Sequence, residues 1–193
     1  MQAMLDLDGS ILLWIQAHVR VEALNPVVTF VTHLGDSGIF WIIVALALFA
    51  FRRTRRIGLA CMIAMLFGLL ATDLFLKNWV ARVRPYEVVE GLERIIGVQK
   101  DFSFPSGHTT NGIACAWVIF RRAPKRYGAP ALALAILIAL TRLYVGVHYP
   151  SDVLGGLVVG LTGAAVALRL EPLLQRELPA LRRFCAERPS PKE

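Results

Sequence analysis

Charged residues are scarce in this chain. Only 18% of its 193 residues are Asp, Glu, Lys or Arg, whereas 56% are hydrophobic. Soluble domains carry about 25% charged residues, so the composition argues against a water-soluble protein and favours a chain that crosses a membrane several times. Cysteine is scarce as well, and Cys61, Cys115 and Cys185 show no CxxC spacing. This pattern argues against a disulfide framework and against a zinc site.

Two further signals are missing. Asp6 and Asp8 stand where a signal peptide carries positive charge, and no small-residue cleavage site follows an uninterrupted apolar core, so we expect the chain not to be processed. The formal net charge is +7, but the basic residues form short clusters between apolar runs and do not line one aromatic-interleaved face. We therefore expect membrane lipids, and no nucleic acid, as partners.

Apolar runs are abundant, and they predict an all-α fold, a polytopic six-helix transmembrane bundle in a single domain of residues 1–193. Five of the predicted spans are residues 39–51, 57–75, 107–120, 129–147 and 153–170. The sixth candidate, residues 11–34, is interrupted by polar residues and Pro26, so it is either a kinked span or an interfacial helix followed by a half-span. Two runs are shorter than the roughly 20 residues that a bilayer core needs. We expect these two to include flanking polar residues or to be buried by the protein.

Clusters of Lys and Arg predict how the bundle is oriented, because short loops rich in these residues stay in the cytoplasm. The clusters follow the second, fourth and last spans: Arg52, Arg53, Arg55 and Arg56; Arg121, Arg122, Lys125 and Arg126; Arg169, Arg176, Arg182 and Arg183. The loops around residues 35–38, 77–106 and 142–152 then face outward. The segment 171–193 is predicted to be a cytoplasmic tail that forms a membrane-surface helix.

The first polar motif lies near the outer end of the third span and reads KNWVARVRP, residues 77–85. Lys77 and Arg84 are about two helical turns apart, so both cations are predicted to project from the same face of a helix. Pro85 is predicted to end or bend that helix. In the alternative interpretation, these cations are interfacial residues whose stems lie along lipid.

The second motif, FSFPSGHTT at residues 102–110, precedes a short apolar run. Ser106 is predicted to cap the helix that follows, and Gly107 allows backbone N–H groups to approach a ligand closely. The positive end of the helix attracts an anion. His108 then stands in the first turn, where an imidazole can give or take a proton near neutral pH. Alternatively, this is an ordinary cap beside an interfacial histidine.

The third motif, TRLYVGVHYPSD at residues 141–152, joins the last two spans. Arg142 closes one span, and Asp152 opens the next. Tyr149 precedes a proline and is predicted to be extended, so His148 and Asp152 are not a simple helical pair. A carboxylate that holds one imidazole nitrogen leaves the other free for nucleophilic attack. Taken alone, Arg142 is equally explained as a cation at the end of a membrane helix.

Topology brings the three motifs together. They lie at the end of span three, the start of span four, the end of span five and the start of span six, so all of them reach the same outer boundary. Ionisable groups near lipid are costly and are functional by default. The sequence therefore predicts one site at the outer membrane boundary, with three cations, two histidines and one carboxylate.

These residues resemble the type 2 phosphatidic acid phosphatase superfamily, whose pattern is K-x6-RP, PSGH and SR-x5-H-x3-D. The resemblance covers residues 35–170 and implies an integral-membrane lipid phosphatase that needs no metal or cofactor. It implies that His148 is the nucleophile, that Asp152 orients it, and that His108 protonates the leaving oxygen and later activates water. The implied phosphate-binding residues are Lys77, Arg84, Ser106, Gly107 and Arg142. Thr141 stands where the family usually has serine, which leaves either a phosphate contact or a bond at the helix end open.

The membrane spans favour a lipid phosphate as substrate, with undecaprenyl diphosphate at the outer face of a bacterial-type plasma membrane as the first choice. Phosphatidylglycerophosphate and phosphatidic acid are the alternatives, and a lipid-phosphate binding or transport protein without chemistry is a further one. The loop of residues 86–104 is either a substrate-selecting segment or a solvated connector. A turn at residues 34–38 explains His33 and Asp36, so the predicted site omits both.

Overall fold

The computed structural model describes residues 2–185, and every regular element within that range is helical. The helices are α1 Gln2–His18, α2 Asn25–His33, α3 Ile39–Ala50, α4 Arg55–Leu69, α5 Lys77–Val80, α6 Pro85–Val88, α7 Gly107–Arg122, α8 Lys125–Tyr144, α9 Pro150–Glu177 and α10 Pro179–Cys185. A π-helical stretch, Leu70–Leu76, joins α4 to α5. The predicted all-α class is confirmed.

The number of candidate spans is smaller than the sequence predicted. Three helical stretches are long and apolar enough to cross a membrane, namely Arg55–Val88, Lys125–Tyr144 and Pro150–Glu177. The pair Glu22–His33 and Asp36–Ala50, bent by 42°, counts as a fourth if it is one span. α7 has only 16 residues, fewer than the roughly 20 that a bilayer core needs, although it lies at the centre of the bundle.

α7 packs against α4, α8 and α9, so neighbouring helices and not lipid cover most of its surface. Its residues from Thr109 to Ile119 are largely buried. α9 approaches α7 closely because glycines face it: a Cβ atom at Gly156 would lie 2.6 Å from the carbonyl oxygen of Ser106, and one at Gly160 would lie 2.7 Å from that of Thr110. The expectation that the protein itself buries a short run holds for α7.

Two helix boundaries differ from the predictions. Residues 11–34 do not form one kinked helix, since α1 ends at His18 and α2 begins at Asn25 with Pro26 in its first turn. Proline is well tolerated there because the first helical N–H groups have no intrahelical acceptor. At the other end, α9 continues to Glu177, so the predicted tail 171–193 begins as part of the bundle. The predictions for residues 186–193 lie outside the described residues.

The part of α9 beyond residue 170 carries a buried carboxylate. Glu171 has no exposed surface, and its Oε1 atom accepts a hydrogen bond from Arg56 Nε at 3.0 Å. Arg122 lies 3.6 Å from the other carboxylate oxygen. These contacts bring together Arg56 at the start of α4 and Arg122 at the end of α7, at one end of the bundle. The three polar motifs lie at the opposite end.

Candidate active site

His148 and Asp152 form a buried pair where α9 begins. Nδ1 of His148 lies 3.4 Å from Oδ2 of Asp152, and the same oxygen accepts a hydrogen bond from the backbone N–H of Tyr149 at 2.9 Å. Tyr149 has φ −78° and ψ 155°, which is the extended conformation that Pro150 predicts. The carboxylate therefore holds one ring nitrogen and leaves the other free.

The other ring nitrogen, Nε2, lies 3.1 Å from Nη1 of Arg84. Because a guanidinium only donates hydrogen bonds, Nε2 accepts here, and the ring proton is assigned to Nδ1, facing Asp152. Burial lowers the pKa of His148 to about 3, and the hydrogen bond to Asp152 does not offset it. The imidazole is thus neutral, with its lone pair directed towards Arg84.

Three buried cations, Lys77, Arg84 and Arg142, come from three parts of the chain, and Arg84 contacts the pair directly. Lys77 directly follows the π-helical stretch, Arg84 directly precedes α6, and Arg142 lies in the last turn of α8. Arg142 donates to Thr32 Oγ1 at 2.8 Å. Its buried Nε finds no hydrogen-bond partner among residues 2–185.

The predicted helical face for Lys77 and Arg84 is wrong. α5 ends at Val80, Ala81 adopts a left-handed conformation with φ 47°, and the chain from there to Arg84 is not helical. Pro85 begins α6 instead of ending a helix. The two cations still meet, because both bind the same carboxylate.

That carboxylate is Asp101, which the sequence analysis did not identify. Lys77 Nζ donates to it at 2.5 Å and Arg84 Nη2 at 2.6 Å. Gln99 from the same loop accepts from Arg142 Nη2 at 3.4 Å. Partial burial works to raise the pKa of Asp101, but Lys77 and Arg84 outweigh it and hold the pKa at about 2. Part of the loop 86–104 therefore contacts all three cations and is not only a connector.

Ser106, Gly107 and His108 open α7, as predicted. The Ser106 hydroxyl accepts a hydrogen bond from the Thr109 backbone N–H at 3.5 Å, which is a long N-cap bond. A Cβ atom at Gly107 would lie 3.5 Å from Lys77 Nζ, so the start of the helix adjoins a cation. Nε2 of His108 lies 2.9 Å from Oδ1 of Asp36. Asp36, which the predicted site omits, therefore contacts a predicted catalytic residue.

Asp152 also has partners that the sequence analysis missed. Arg82 donates to its Oδ1 atom at 2.7 Å, and Ser103 donates to its Oδ2 atom at 2.5 Å. Arg82 in turn donates to Asp8 of α1 at 2.7 Å, and Asp8 accepts from the Ser151 backbone N–H in the first turn of α9. A carboxylate from the first helix of the chain thus supports the pair His148 and Asp152 through Arg82 and the start of α9.

Thr141 does not contact the cations through its hydroxyl. Its Oγ1 atom donates to the carbonyl oxygen of Ile138 at 2.6 Å within α8. Of the two roles left open for this residue, the structure shows the helix-end bond.

The site opens into a polar cavity of about 620 Å³ lined by Lys77, Asp101, Gly107 and His108. His148 is 2% exposed, and Arg84 connects it to Asp101 in the cavity wall. A second, apolar groove of about 210 Å³ runs between α3 and α4 and shares Ser37, Leu69 and Asn111 with the polar cavity. Within residues 2–185 no three His, Cys, Asp or Glu side chains come together as a metal-binding group.

Known proteins that resemble this chain are membrane phosphatases or phosphatases of lipids. The sequence model of one protein family, the PAP2 superfamily, matches residues 57–176. An undecaprenyl-diphosphatase of Sulfolobus acidocaldarius is 28% identical over 79% of this chain and 73% of its own length. Phosphatidylglycerophosphatase B of Bacillus subtilis is 34% identical over 74% of this chain and 73% of its own length. The crystal structure of a transmembrane PAP2-type phosphatidylglycerolphosphate phosphatase from Bacillus subtilis superposes with a TM-score of 0.72 and 28% identity, over 91% of this chain and 90% of that one.

Proposed function

The chain belongs to the PAP2 superfamily, and on this basis we propose that it is a metal-independent lipid phosphatase that acts through a phosphohistidine on His148. One observation carries the proposal. Nδ1 of the buried His148 is held by Asp152, and its Nε2 lone pair faces Arg84, with Arg142 nearby. That arrangement provides a neutral nucleophile beside a positively charged phosphate site.

In the first step, Nε2 of His148 attacks phosphorus and the bond from phosphorus to the lipid oxygen breaks. His108 gives its proton to the departing oxygen, and Asp152 stabilises the positive charge that develops on the imidazole. In the second step, His108 takes a proton from water, the resulting hydroxide attacks phosphorus, and the phosphorus–nitrogen bond breaks to release phosphate. Both histidines return to their starting states over the cycle.

Fixed cations stabilise the phosphoryl group during both steps. We assign this role to Lys77, Arg84 and Arg142, together with Ser106 and the Gly107 N–H. Arg142 supports the assignment, because its buried Nε has no partner within the described chain. Asp101 and Gln99 hold the same cations, so an incoming phosphate must displace the Asp101 carboxylate.

A lipid phosphate suits the site better than a soluble one, because the apolar groove between α3 and α4 adjoins the polar cavity. The relatives are named for undecaprenyl diphosphate and for phosphatidylglycerophosphate. We propose undecaprenyl diphosphate as the first candidate and phosphatidylglycerophosphate or phosphatidic acid as the second. The proposed setting is a six-span bundle with the site on the outer face and the C-terminus in the cytoplasm. Basic residues clustered at the end opposite the site support this orientation.

Release of phosphate in EDTA tests the proposal. Purified protein in detergent is given undecaprenyl diphosphate, phosphatidylglycerophosphate or phosphatidic acid, and His148→Ala serves as the blank. We expect release from at least one substrate by the unmodified protein and none by the variant. Saturable lipid binding without any release would identify a binding or transport protein instead.

A further inference from the structure

The turn of residues 34–38 is shaped around His108. A Cβ atom at Gly35 would lie 2.4 Å from Cδ2 of His108 and 2.9 Å from a methyl carbon of Ile138, so only glycine allows this close approach. Ser37 and Gly38 both have positive φ, at 52° and 67°. A non-glycine residue with positive φ is uncommon, and such strained positions cluster at functional sites.

Asp36 is the polar centre of this turn. One oxygen lies 2.9 Å from Nε2 of His108, and the other lies 2.7 Å from Nδ1 of His33. The His108 side chain is 13% exposed, while those of Asp36 and His33 are about half exposed. The hydrogen bond with His108 lowers the pKa of Asp36 to about 2, so the carboxylate is ionised in the pH range in which proteins work.

Three charged side chains surround His108, and they act on its protonation in opposite directions. Lys77 of α5 and Arg142 of α8 both face it as cations, and Asp36 faces it from the turn. Burial and the two nearby cations disfavour the protonated imidazole, whereas the carboxylate bonded to the ring favours it and offsets part of their effect. A histidine that donates a proton to a leaving group must carry that proton when the substrate binds.

We propose that Asp36 is a positioning residue that accepts a hydrogen bond from Nε2 of His108, favours the protonated ring and orients its Nδ1 proton for transfer to the leaving lipid oxygen, with His33 holding the second carboxylate oxygen. The proposal rests on the proposed function, and it adds two residues outside the matched family region, 57–176. The side-chain hydrogen bonds of Asp36 go to His108 and His33, and not to the nucleophile His148. Its effect should be confined to steps in which His108 moves a proton.

The test compares two leaving groups. The leaving group of a short-chain phosphatidic acid is the alkoxide of a diacylglycerol, which is a poor leaving group and needs a proton. The leaving group of p-nitrophenyl phosphate is a stable phenolate, which needs little help from an acid. The parameter kcat/KM is used because it reports formation of the phosphoenzyme and excludes its later hydrolysis. For Asp36→Asn we expect kcat/KM to fall about 30-fold or more with phosphatidic acid and less than about 3-fold with p-nitrophenyl phosphate.

Two variants act as controls. Asp152→Asn acts on the nucleophile, so it should lower kcat/KM for both substrates by similar factors. His33→Gln changes a half-exposed side chain, and it keeps the test available if Asp36→Asn does not fold; we expect the same leaving-group selectivity with a smaller loss, about 3-fold with phosphatidic acid. Equal losses on both substrates in the Asp36 or His33 variant would overturn the proposal. Phosphate release by His148→Ala would instead overturn the proposed function.

Discussion

In the proposed mechanism Asp101 competes with the substrate for Lys77 and Arg84, and replacing it should make the site bind phosphate more tightly. Its carboxylate bonds both Lys77 and Arg84, which are the groups assigned to the phosphate. In Asp101→Asn the side chain keeps nearly the same size but loses the charge. The cations are then available to an incoming anion without first giving up an ion pair.

The size of the effect follows from the pKa of Asp101, which is about 2 instead of 3.8. At about 1.4 kcal/mol for each pKa unit, this difference corresponds to about 2.5 kcal/mol. The side chain is 49% exposed, so solvent screening reduces the figure to about 1 kcal/mol. That free energy corresponds to about fivefold tighter binding of a competing anion.

The assay is competitive inhibition by inorganic phosphate, measured with p-nitrophenyl phosphate as the substrate. We expect the inhibition constant to fall about fivefold in Asp101→Asn. The unmodified protein should also be more stable than the variant by about 1 kcal/mol above pH 4. Because the folded-state pKa is depressed, this advantage should disappear as the pH falls through about 2. A higher inhibition constant in the variant would refute the reasoning, since it would mean that Asp101 orders the cations for phosphate.

Four further outcomes are expected. Arg82→Gln should lower kcat about 10- to 100-fold with little change in KM, because Asp152 loses the partner of its Oδ1 atom. As a control, Arg56→Gln breaks an ion pair at the opposite end of the bundle and should leave kcat unchanged. Gly160→Ala should lower the free energy of unfolding in detergent by about 1 to 3 kcal/mol, because its Cβ atom would meet the α7 backbone. Thr141→Val should cost about 1 kcal/mol of stability and leave kcat/KM unchanged, since its hydroxyl bonds only its own helix. Removal of divalent metals with EDTA should not slow phosphate release.

The local structure of the second and third motifs could be predicted because their sequence carries the signal. Serine and glycine before an apolar run indicate a helix start, and Ser106 does cap α7. Proline after Tyr149 fixes the backbone between His148 and Asp152. Alternation of the spans then places these groups at one end of the bundle without any knowledge of side-chain contacts.

The partners of those residues could not be predicted, because they come from distant parts of the chain. Asp36 reaches His108 across 72 positions, and Asp8 reaches Arg82 across 74. Only the packed bundle brings such pairs together, and a single aspartate in a turn or near the N-terminus has no distinguishing pattern. The helix break at Ala81 was also hidden, since alanine favours helix and its left-handed conformation is set by the surrounding structure.

Trapping the covalent intermediate is the most direct test of a phosphohistidine on His148. The protein is mixed briefly with undecaprenyl diphosphate that is radiolabelled in its terminal phosphate, quenched in alkaline detergent, and analysed for label bound to the chain. We expect the bound label to be stable to base and labile to acid, to be located on His148, and to be lost in His148→Ala. Unchanged labelling of His148→Ala, or phosphate release without any labelled intermediate in a rapid quench, would contradict it.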